Sequence, residues 1–296
     1  MKRLLLLVAA LCITLGCEAK KTFTLWQLAS QRNDIGNSYI IRTHSGKLIV
    51  MDGGYEAERD YLCGFLSALG GEVEAWMVSH PHNDHMGTLK DMLEKPSGIK
   101  INKIYHSRFT EALIDTEEKV WADYTRTFYS LLDNLKQTEV IDCHCGDEFE
   151  IDGIKFKILG EKNPEILGNG YNNSSMVIKM WDKHKSFIFL GDLCVVAGDK
   201  LLASEYAADL ECDYLQLAHH GNWAVKKNFY EKVKFRAALW SSPSWLYNND
   251  AGKGFTTAHF ESVIVRGWME ELGIKEHYVS CEGLSKIELY LKQTTI

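Results

Sequence analysis

Six consecutive residues of this chain contain four side chains that commonly bind metal ions. They are residues 80–85, with the sequence HPHNDH, and they follow a short apolar run typical of a buried strand. On an extended backbone, side chains two residues apart point to the same side, so His80 and His82 offer both imidazoles to one ion. The asparagine that follows favours a turn, which presents Asp84 and His85 at a neighbouring position. These ligand types suit zinc, with manganese or iron as alternatives.

Strand and helix patterns alternate along the rest of the chain. Turn residues bound β-branched and aromatic runs that predict strands over 22–28, 38–42, 47–51, 74–79, 102–106, 149–159 (a hairpin turning at Asp152-Gly153), 176–181, 186–190, 214–218, 237–240 and 287–291. Apolar residues at helical spacing predict helices over 56–69, 111–136, 225–233 and 257–272. Antiparallel hairpins mixed with strand–helix units predict an α/β (α+β) fold of two sheets with helices outside.

Residues 1–17 are predicted to be a signal peptide rather than part of the fold. Lys2 and Arg3 precede a 12-residue apolar run, which has the length of a signal sequence and is short for a membrane span. Cys17 follows, as in bacterial lipoproteins, so we expect a lipid on Cys17 that anchors an exported protein to a membrane. A cleaved secretory signal with an incidental cysteine, giving a soluble protein, is the alternative. Residues 18–296 are expected to form a single domain.

The charge balance argues against a long nucleic acid as partner. The chain has 33 basic and 40 acidic residues and a net charge of −7, and removal of residues 1–16 leaves 31 basic residues and a net charge of −9. Nucleic acids are bound through an excess of Lys and Arg at the phosphates. The sequence therefore favours a small-molecule or envelope-attached substrate, and it leaves the oligomeric state open.

The histidine-rich segment is the His-x-His-x-Asp-His signature of the metallo-β-lactamase superfamily, and further motifs resemble that family in the same order. Asp52 lies at the end of a predicted strand, like the family's first aspartate, which orients the ligand loop. Asp192, in a Gly-Asp pair after a strand, resembles the carboxylate that bridges two ions, and residues 219–221 (HHG) resemble the last histidine motif. The resemblance covers about residues 25–290 and implies a four-layer αββα sandwich with the metals at strand ends between the sheets.

One departure from the family pattern concerns the first ion. Most members carry a histidine between the signature and the bridging aspartate, and this chain has Asn172 and Asn173 there instead. The Asn-Asn-x-Ser pattern resembles the branch that contains the competence-protein (ComEC-like) domains and the bacterial phosphorylcholine esterase. The ligands that the resemblance implies, for one or two ions, are His80, His82, Asp84, His85, Asp192, His219 or His220, and Asn173 (or Asn172).

The resemblance also implies hydrolysis by a metal-bound hydroxide, with Asp84, His219 and His220 as catalytic candidates. A metal ion lowers the pKa of its bound water towards about 7, and Asp84 would orient the nucleophile. Neighbours on an extended chain face opposite ways, so one of His219 and His220 would bind the ion while the other contacts substrate. The branch favours a phosphodiester or another small ester. The alternatives are a β-lactam or lactone hydrolase and a non-catalytic surface binding lipoprotein.

Aromatic and basic residues after the last motif suggest how a substrate is held. Trp223 follows the His-His-Gly motif, and Trp245 and Tyr247 lie in a serine-rich loop. Aromatic faces hold apolar or cationic groups, so these three residues are candidates for a substrate pocket. Lys226 and Lys227 would form a small basic patch for a phosphate, the alternative being an ordinary solvated helix start.

Overall fold

The computed structural model describes residues 22–288, and fifteen strands and nine α-helices lie within that range. In chain order the strands are β1 (Thr24–Gln27), β2 (Ser38–Arg42), β3 (Leu48–Asp52), β4 (Glu72–Met77), β5 (Lys100–Ile101), β6 (Lys103–His106), β7 (Glu139–Asp142), β8 (Glu148–Ile151), β9 (Ile154–Gly160), β10 (Val177–Trp181), β11 (Ser186–Phe189), β12 (Tyr214–Gln216), β13 (Ala237–Trp240), β14 (Glu276–Val279) and β15 (Ser285–Ile287). The helices are α1 (Arg59–Ala68), α2 (Asn83–Glu94), α3 (Glu111–Ile114), α4 (Lys119–Asp133), α5 (Gly170–Asn173), α6 (Val195–Ala203), α7 (Lys227–Lys232), α8 (Ser244–Tyr247) and α9 (Ser262–Glu271).

The strands form two sheets, each with an antiparallel and a parallel half. The first sheet has the order β15-β1-β2-β3-β4-β6-β7, with β5 paired to β4, and is parallel from β3 onwards. The second has the order β14-β13-β12-β11-β10-β9-β8 and is parallel from β11 to β14. Parallel strands end at the same edge of a sheet, and ligands of such sheets bind beyond the carboxyl ends of the strands.

Apolar side chains pack in four layers. Met77 of β4 and Phe189 of β11 belong to one buried cluster between the sheets. Phe128 of α4 packs with Val50 of β3 on the outer face of the first sheet, and Phe229 of α7 packs on the outer face of the second. The order helix, sheet, sheet, helix confirms the predicted αββα sandwich, because each sheet buries both of its faces.

Short-range turn chemistry explains why several predicted elements match the structure. Asp152 and Gly153 join β8 to β9 with φ of 51° and 81°, the left-handed pair that a two-residue hairpin requires. The predicted hairpin over 149–159 is therefore confirmed. Strand β2 occupies 38–42 and β13 occupies 237–240, as predicted.

The predicted helix over 111–136 is wrong in one respect, because the structure has two helices there, α3 and α4. The hydroxyl of Thr116 donates to the carbonyl oxygen of Leu113 at 2.7 Å and closes the end of α3. Glu118 is extended and precedes the first residue of α4. Because of this break, Glu117 lies in the loop between α3 and α4 rather than within a helix.

Other elements differ at their ends or lacked a clear pattern. Helix α9 begins at Ser262 rather than near 257, since Asp250 Oδ1 accepts backbone N–H groups from Gly252 and Gly254 and holds the preceding loop. Strands β7 and β14 and helix α6 were not predicted. The predicted strand 287–291 shares only Ile287 with β15, which ends there, and residues 289–291 lie outside the described residues.

The predicted signal segment and its Cys17 lie outside the described residues. None of the helices between residues 22 and 288 combines the length and the apolar character that a bilayer crossing needs. In the same range the cysteines are unpaired: Cys63, Cys143, Cys145, Cys194, Cys212 and Cys281.

Candidate metal centre

Loops after the strands of both parallel halves bring the predicted site residues together. Asp52 ends β3 and residues 80–85 follow β4, so both belong to the first sheet. Asp192 follows β11 and His220 follows β12, so both belong to the second sheet. Two groups of side chains there have ligand atoms within 4.8 Å of one another. The candidate centre therefore lies where the two sheets meet.

The larger group, called the four-ligand group below, consists of Asp84, His85, Asp192 and His220. His85 Nε2 is 3.0 Å from Asp192 Oδ1, and His220 Nε2 is 2.9 Å from Asp84 Oδ2. His220 Nε2 is also 3.5 Å from Asp192 Oδ1. Two imidazole nitrogens and two carboxylates thus converge, which is a donor set of the kind that binds zinc, iron or manganese.

The smaller group, called the three-ligand group below, consists of His80, His82 and Asp192. His80 Nε2 is 2.9 Å from His82 Nδ1 and 3.7 Å from Asp192 Oδ2. Asp192 belongs to both groups, and it turns Oδ1 to the four-ligand group and Oδ2 to this one. One carboxylate that offers an oxygen to each of two groups has the arrangement of a bridging ligand.

Buried polar atoms without hydrogen bonds show that an ion fits the four-ligand group. His85 Nε2, His220 Nε2 and Asp192 Oδ1 are buried and make no hydrogen bond. Buried polar atoms are normally paired, because leaving one unpaired costs about 1–3 kcal/mol. One divalent cation bound by these atoms would satisfy all three at once.

Asp52 supports a ligand rather than reaching the ion position itself. Its Oδ2 is 2.8 Å from His85 Nδ1, and its Oδ1 accepts the backbone N–H of Ser79 at 2.7 Å. The side-chain amide of Asn37 donates to Oδ2 at 2.6 Å. When the Nδ1–H group of His85 donates a hydrogen bond to Asp52, the lone pair of the neutral ring is on Nε2, which faces Asp192.

Two serines support the other buried histidines; one of them, Ser175, is the serine of the Asn-Asn-x-Ser pattern. The Ser241 carbonyl oxygen is 3.0 Å from His220 Nδ1. Ser175 Oγ is 3.3 Å from His80 Nδ1 and accepts the backbone N–H of Asp192 at 2.9 Å. Their contacts with His80 and His220 join distant parts of the chain, so the local sequence does not predict them.

Glu117 is a further residue that sequence reasoning missed. Its Oε1 is 3.5 Å from His82 Nε2, while His82 Nδ1 faces His80. The His82 ring also stacks on Tyr171, with centroids 5.1 Å apart. The contact with His82 lowers the pKa of the Glu117 carboxyl. Glu117 therefore holds a negative charge next to His82, a ligand candidate that is partly exposed.

Burial and neighbouring charges shift the pKa values of four groups of the centre, Asp192, His220, His85 and His80. Burial opposes ionisation of Asp192, but His85 and His220 outweigh it and hold the Asp192 pKa well below its ordinary value. Burial also opposes protonation of His220, yet Asp192 and Asp84 raise the His220 pKa to about 9. The same carboxylates raise the pKa of His85, whereas burial lowers that of His80. Metal uptake therefore has to displace protons from His85 and His220.

The structure does not bring the Asn173 side chain to the ligands. Its amide donates to the carbonyl oxygens of Gly168 and Asn169 at 2.9 and 3.3 Å, and its Oδ1 accepts the N–H of Ala197 at 3.1 Å. Both polar atoms are thus engaged in local structure. The neighbouring Asn172 is buried and its Oδ1 has no hydrogen bond. The expectation that Asn173 completes the first site is therefore corrected, because its amide is already paired.

The two histidines of the last motif do not lie on extended chain as expected. Strand β12 ends before them, and His219 and His220 adopt left-handed φ of 49° and 58° in a tight turn. His220 joins the four-ligand group. His219 Nε2 is 3.7 Å from Asp192 Oδ2, its side chain is 26% exposed, and it belongs to neither group. In this backbone conformation, the imidazoles of both residues lie near Asp192.

The three aromatic residues predicted for a substrate pocket have different surroundings. Trp223 and Trp245 both contact Phe260, with ring centroids 5.8 and 5.2 Å apart. Tyr247 packs instead against Trp240 in the core beneath the second helix layer. Two of the three predicted residues therefore share a neighbour, and the third belongs to the core.

The predicted basic patch does not form. Lys226 Nζ is 2.8 Å from a carboxylate oxygen of Glu261, and Lys227 pairs with Glu271. Both ammonium groups are paired with carboxylates, so this surface has no excess of positive charge from Lys226 and Lys227.

The fold and the centre together define a class of protein. The family model of the Metallo-beta-lactamase superfamily matches residues 32–235, more than half of the chain. The chain therefore belongs to the metallo-β-lactamase superfamily, as its motifs predicted.

A search of curated proteins finds no match to this chain. Similar proteins are found by comparison with solved structures. The metallo-beta-lactamase fold protein YhfI from Bacillus subtilis is 12% identical, with a TM-score of 0.54 over 90% of this chain and 99% of that one. A diphosphatase from the PhnP family is 15% identical, with a TM-score of 0.50 over 91% and 98%. CmlA, a diiron beta-hydroxylase from Streptomyces venezuelae, is 12% identical, with a TM-score of 0.51 over 91% and 54%. Identities this low show a shared fold.

Proposed function

We propose that this protein is a metal-dependent hydrolase that cleaves a phosphodiester or another small ester. The observation that carries the proposal is the pair of ligand groups that share Asp192. When bound, ions at such a centre supply an activated water and a Lewis acid that polarises the oxygen of an ester. The proposal is supported by membership of a superfamily whose members are generally hydrolases.

The chain's own residues would position the reacting groups. Asp84 is 18% exposed and directs one carboxylate oxygen at His220, which leaves the other oxygen to accept a hydrogen bond from the attacking water. His219 is accessible beside Asp192, so it would donate a hydrogen bond to an oxygen of the substrate. His220 and His85 are fully buried ligands that fix the position of Asp192.

Two observations favour a phosphodiester as the substrate and zinc as the metal. The Asn-Asn-x-Ser stretch at residues 172–175 resembles a branch that acts on phosphodiesters, and one structural neighbour is a diphosphatase. Histidine nitrogens and carboxylates suit zinc, while a diiron neighbour keeps iron, with manganese, among the candidates. The unequal groups support one tightly and one loosely held ion, because three protein ligands bind more weakly than four.

Metal content and hydrolysis test the proposal together. Purified protein is expected to contain at least one transition-metal ion per chain and to hydrolyse bis(4-nitrophenyl) phosphate, with chelation abolishing activity and added zinc restoring it. Asp192→Asn should lower metal content and reduce kcat by about two orders of magnitude or more, since it weakens both groups. His144→Asn, which changes an exposed histidine outside the centre, is the control. Absence of bound metal, with no rescue by zinc, would contradict the proposal.

A chromogenic β-lactam separates the phosphoesterase proposal from the lactamase alternative. Negligible turnover is expected, because the three-ligand group lacks the additional histidine that most family members carry. Efficient turnover would reverse the ranking of the two activities. Protein that holds its ions but hydrolyses nothing in a broad ester panel would instead support a surface binding lipoprotein.

We also propose that the protein is exported and held at a membrane by a lipid on Cys17, where it meets small or envelope-attached esters. The support is the apolar segment that precedes Cys17 in the sequence. Cys17→Ser is expected to move the protein from the membrane fraction to the soluble fraction. Unchanged membrane association in that variant would remove the lipid anchor from the proposal.

A further inference from the structure

Four large apolar side chains are exposed close to the candidate centre. Leu167, Val195, Val196 and Trp223 have exposed fractions of 53%, 36%, 55% and 51%. They come from three segments: the loop before α5, the first turn of α6, and the chain just after the His-His-Gly motif. These four side chains are called the apolar patch below.

Contacts of Cys194 join the three segments beside the shared aspartate. The side-chain amide of Asn169 donates to Cys194 Sγ at 3.2 Å, which links the loop carrying Leu167 to the start of α6. Cys194 Sγ is 3.6 Å from the carbonyl oxygen of Trp223 and 3.4 Å from that of Asp192. These contacts link the three segments that carry the apolar patch to the backbone of Asp192, the aspartate that both ligand groups share.

The basic residues next to the apolar patch are each paired with a carboxylate. Lys226, three residues after Trp223, is bound to Glu261. Lys200, on the same helix as Val196, is 2.5 Å from Glu165. Neither pair leaves a net positive charge for a negatively charged substituent of the substrate. The chemistry offered at this side of the centre is apolar contact.

The geometry points to the apolar patch as the subsite for an alkyl or aryl group of the ester whose polar centre lies at the ligand groups. This inference rests on the proposed hydrolase function and adds the class of substrate, an ester with an apolar substituent. Exposed apolar patches on soluble proteins commonly mark binding sites. Full burial of a methylene group strengthens binding by about fourfold, so binding should become tighter as the alkyl chain of the substrate becomes longer.

Matched phosphodiesters test the subsite on metal-loaded protein. Methyl, butyl and octyl 4-nitrophenyl phosphates share one leaving group and are used below their critical micelle concentrations. The expected result is a kcat/KM at least about tenfold higher for octyl than for methyl, with most of the change in KM. Equal values across the series would overturn the subsite while leaving the hydrolase function in place.

Two aspartate substitutions assign the effect to the patch. Val196→Asp lies in the first turn of α6, and Ile264→Asp lies in the first turn of α9 at an equally exposed position, 55% for each. Aspartate is favourable in the first turn of a helix, so both variants are expected to fold. Only Val196→Asp should lower the octyl-to-methyl ratio of kcat/KM, by about fivefold or more. The ratio cancels any general repulsion of the phosphate. Equal ratios in both variants would place the alkyl group elsewhere.

Binding without turnover separates the subsite from the activity. Methyl, butyl and octyl phosphonates are titrated into metal-loaded protein by calorimetry. Tighter binding with chain length, in the absence of hydrolysis of any ester, would keep the subsite and reject the hydrolase function. Hydrolysis of the methyl ester with no chain-length effect in either assay would do the opposite. Failure of both assays would reject both.

Discussion

Every histidine of the two ligand groups has a polar partner on the ring nitrogen that faces away from the other ligands. The pairs are His85 with Asp52, His220 with Ser241, His80 with Ser175, and His82 with Glu117. Such partners fix which ring nitrogen keeps its lone pair and raise its basicity. Removal of a partner should therefore weaken metal binding without removing a ligand.

Glu117 offers the cleanest test, because its pair with His82 is partly exposed and easily exchanged for a neutral one. Glu117→Gln is expected to weaken the looser of the two metal-binding steps by about tenfold and to leave the tighter step unchanged. Calorimetric titration with zinc measures both steps. Glu118→Gln, one residue along and exposed, is the control, and identical titrations for the two variants would contradict a positioning role for Glu117.

His106 predicts a pH dependence of stability away from the centre. It is 3% exposed, its Nδ1 has no hydrogen bond, and burial lowers its pKa to about 4. The folded protein thus keeps His106 neutral, and its stabilising effect is complete above the unfolded pKa of about 6.5 and lost as the pH falls towards 4. Between pH 7 and 4.5 that loss is about 2 kcal/mol.

Urea titrations at pH 7 and pH 4.5 measure the free energy of unfolding of the metal-free wild type and of the metal-free His106→Asn variant. The variant is expected to lose about 2 kcal/mol less on acidification, whatever its stability at pH 7. Equal losses would show that His106 does not titrate differently in the folded and unfolded states. Between pH 7 and 8 both proteins should change alike.

At the scale of elements, the turn after β11 depends on a glycine. Gly191 has a φ of +56°, and a Cβ there would lie 2.9 Å from the Cβ atoms of Ser79 and Ser175. Gly191→Ala is therefore expected to cost about 2–4 kcal/mol of unfolding free energy, through strain plus crowding. The same crowding displaces two serines that contact His80, so metal affinity should fall as well.

Gly153→Ala separates strain from crowding. Gly153 has a φ of +81°, and a Cβ added there would meet no atom within 4 Å. That variant should therefore cost only about 1–2 kcal/mol and leave metal binding intact. Denaturant titrations and zinc calorimetry on both variants check this. A Gly191→Ala protein as stable as Gly153→Ala would show that the loops of the centre adjust freely.

The segments that carry the ligand candidates were the easiest to predict, because residues close together in the sequence determine them. Residues 80–85 carry four ligand candidates in six positions, and the strand before them follows from nearby residues. Where a turn was predicted at Asn83, helix α2 begins, and its first turn carries Asp84 and His85. The two sheets were predictable from hairpin signals such as Asp152-Gly153. Element ends that depend on distant packing, such as the break between α3 and α4, were not.

Three features of the site show what local patterns miss. Glu117 contacts a ligand 35 positions away, inside a stretch whose periodicity indicated continuous helix. Asn173 has the residue type of a ligand, but its amide is used to hold the adjacent loop. His219 and His220 adopt a left-handed backbone that residues other than glycine seldom favour, so no propensity predicts their turn.

For the whole molecule, the described chain starts at the end opposite the centre. Thr22 donates to Asp182 at 2.5 Å and accepts from Lys185 at 2.9 Å, in the turn that leads into β11. Asp192 follows the far end of that strand. At about 3.3 Å per residue, the three steps of β11 from Ser186 to Phe189 span about 10 Å.

A lipid on Cys17 would therefore hold the Thr22 end against a membrane, because five residues reach at most about 18 Å. The centre is expected to face away from that membrane. In vesicles with brominated lipids, quenching of tryptophan fluorescence should fall in Trp181→Phe, which changes the Thr22 end, and persist in Trp223→Phe. The reverse result would place the centre at the membrane surface.

The four-ligand group draws two members from each sheet: Asp84 and His85 come from the first, Asp192 and His220 from the second. Cleavage of the chain between β9 and α5 would divide these donors evenly between the fragments. Neither separated fragment would contain more than two of the four ligand candidates, so we expect an ion to bind this group only when both sheets are assembled. Separated fragments and incompletely folded protein would then lack metal and activity.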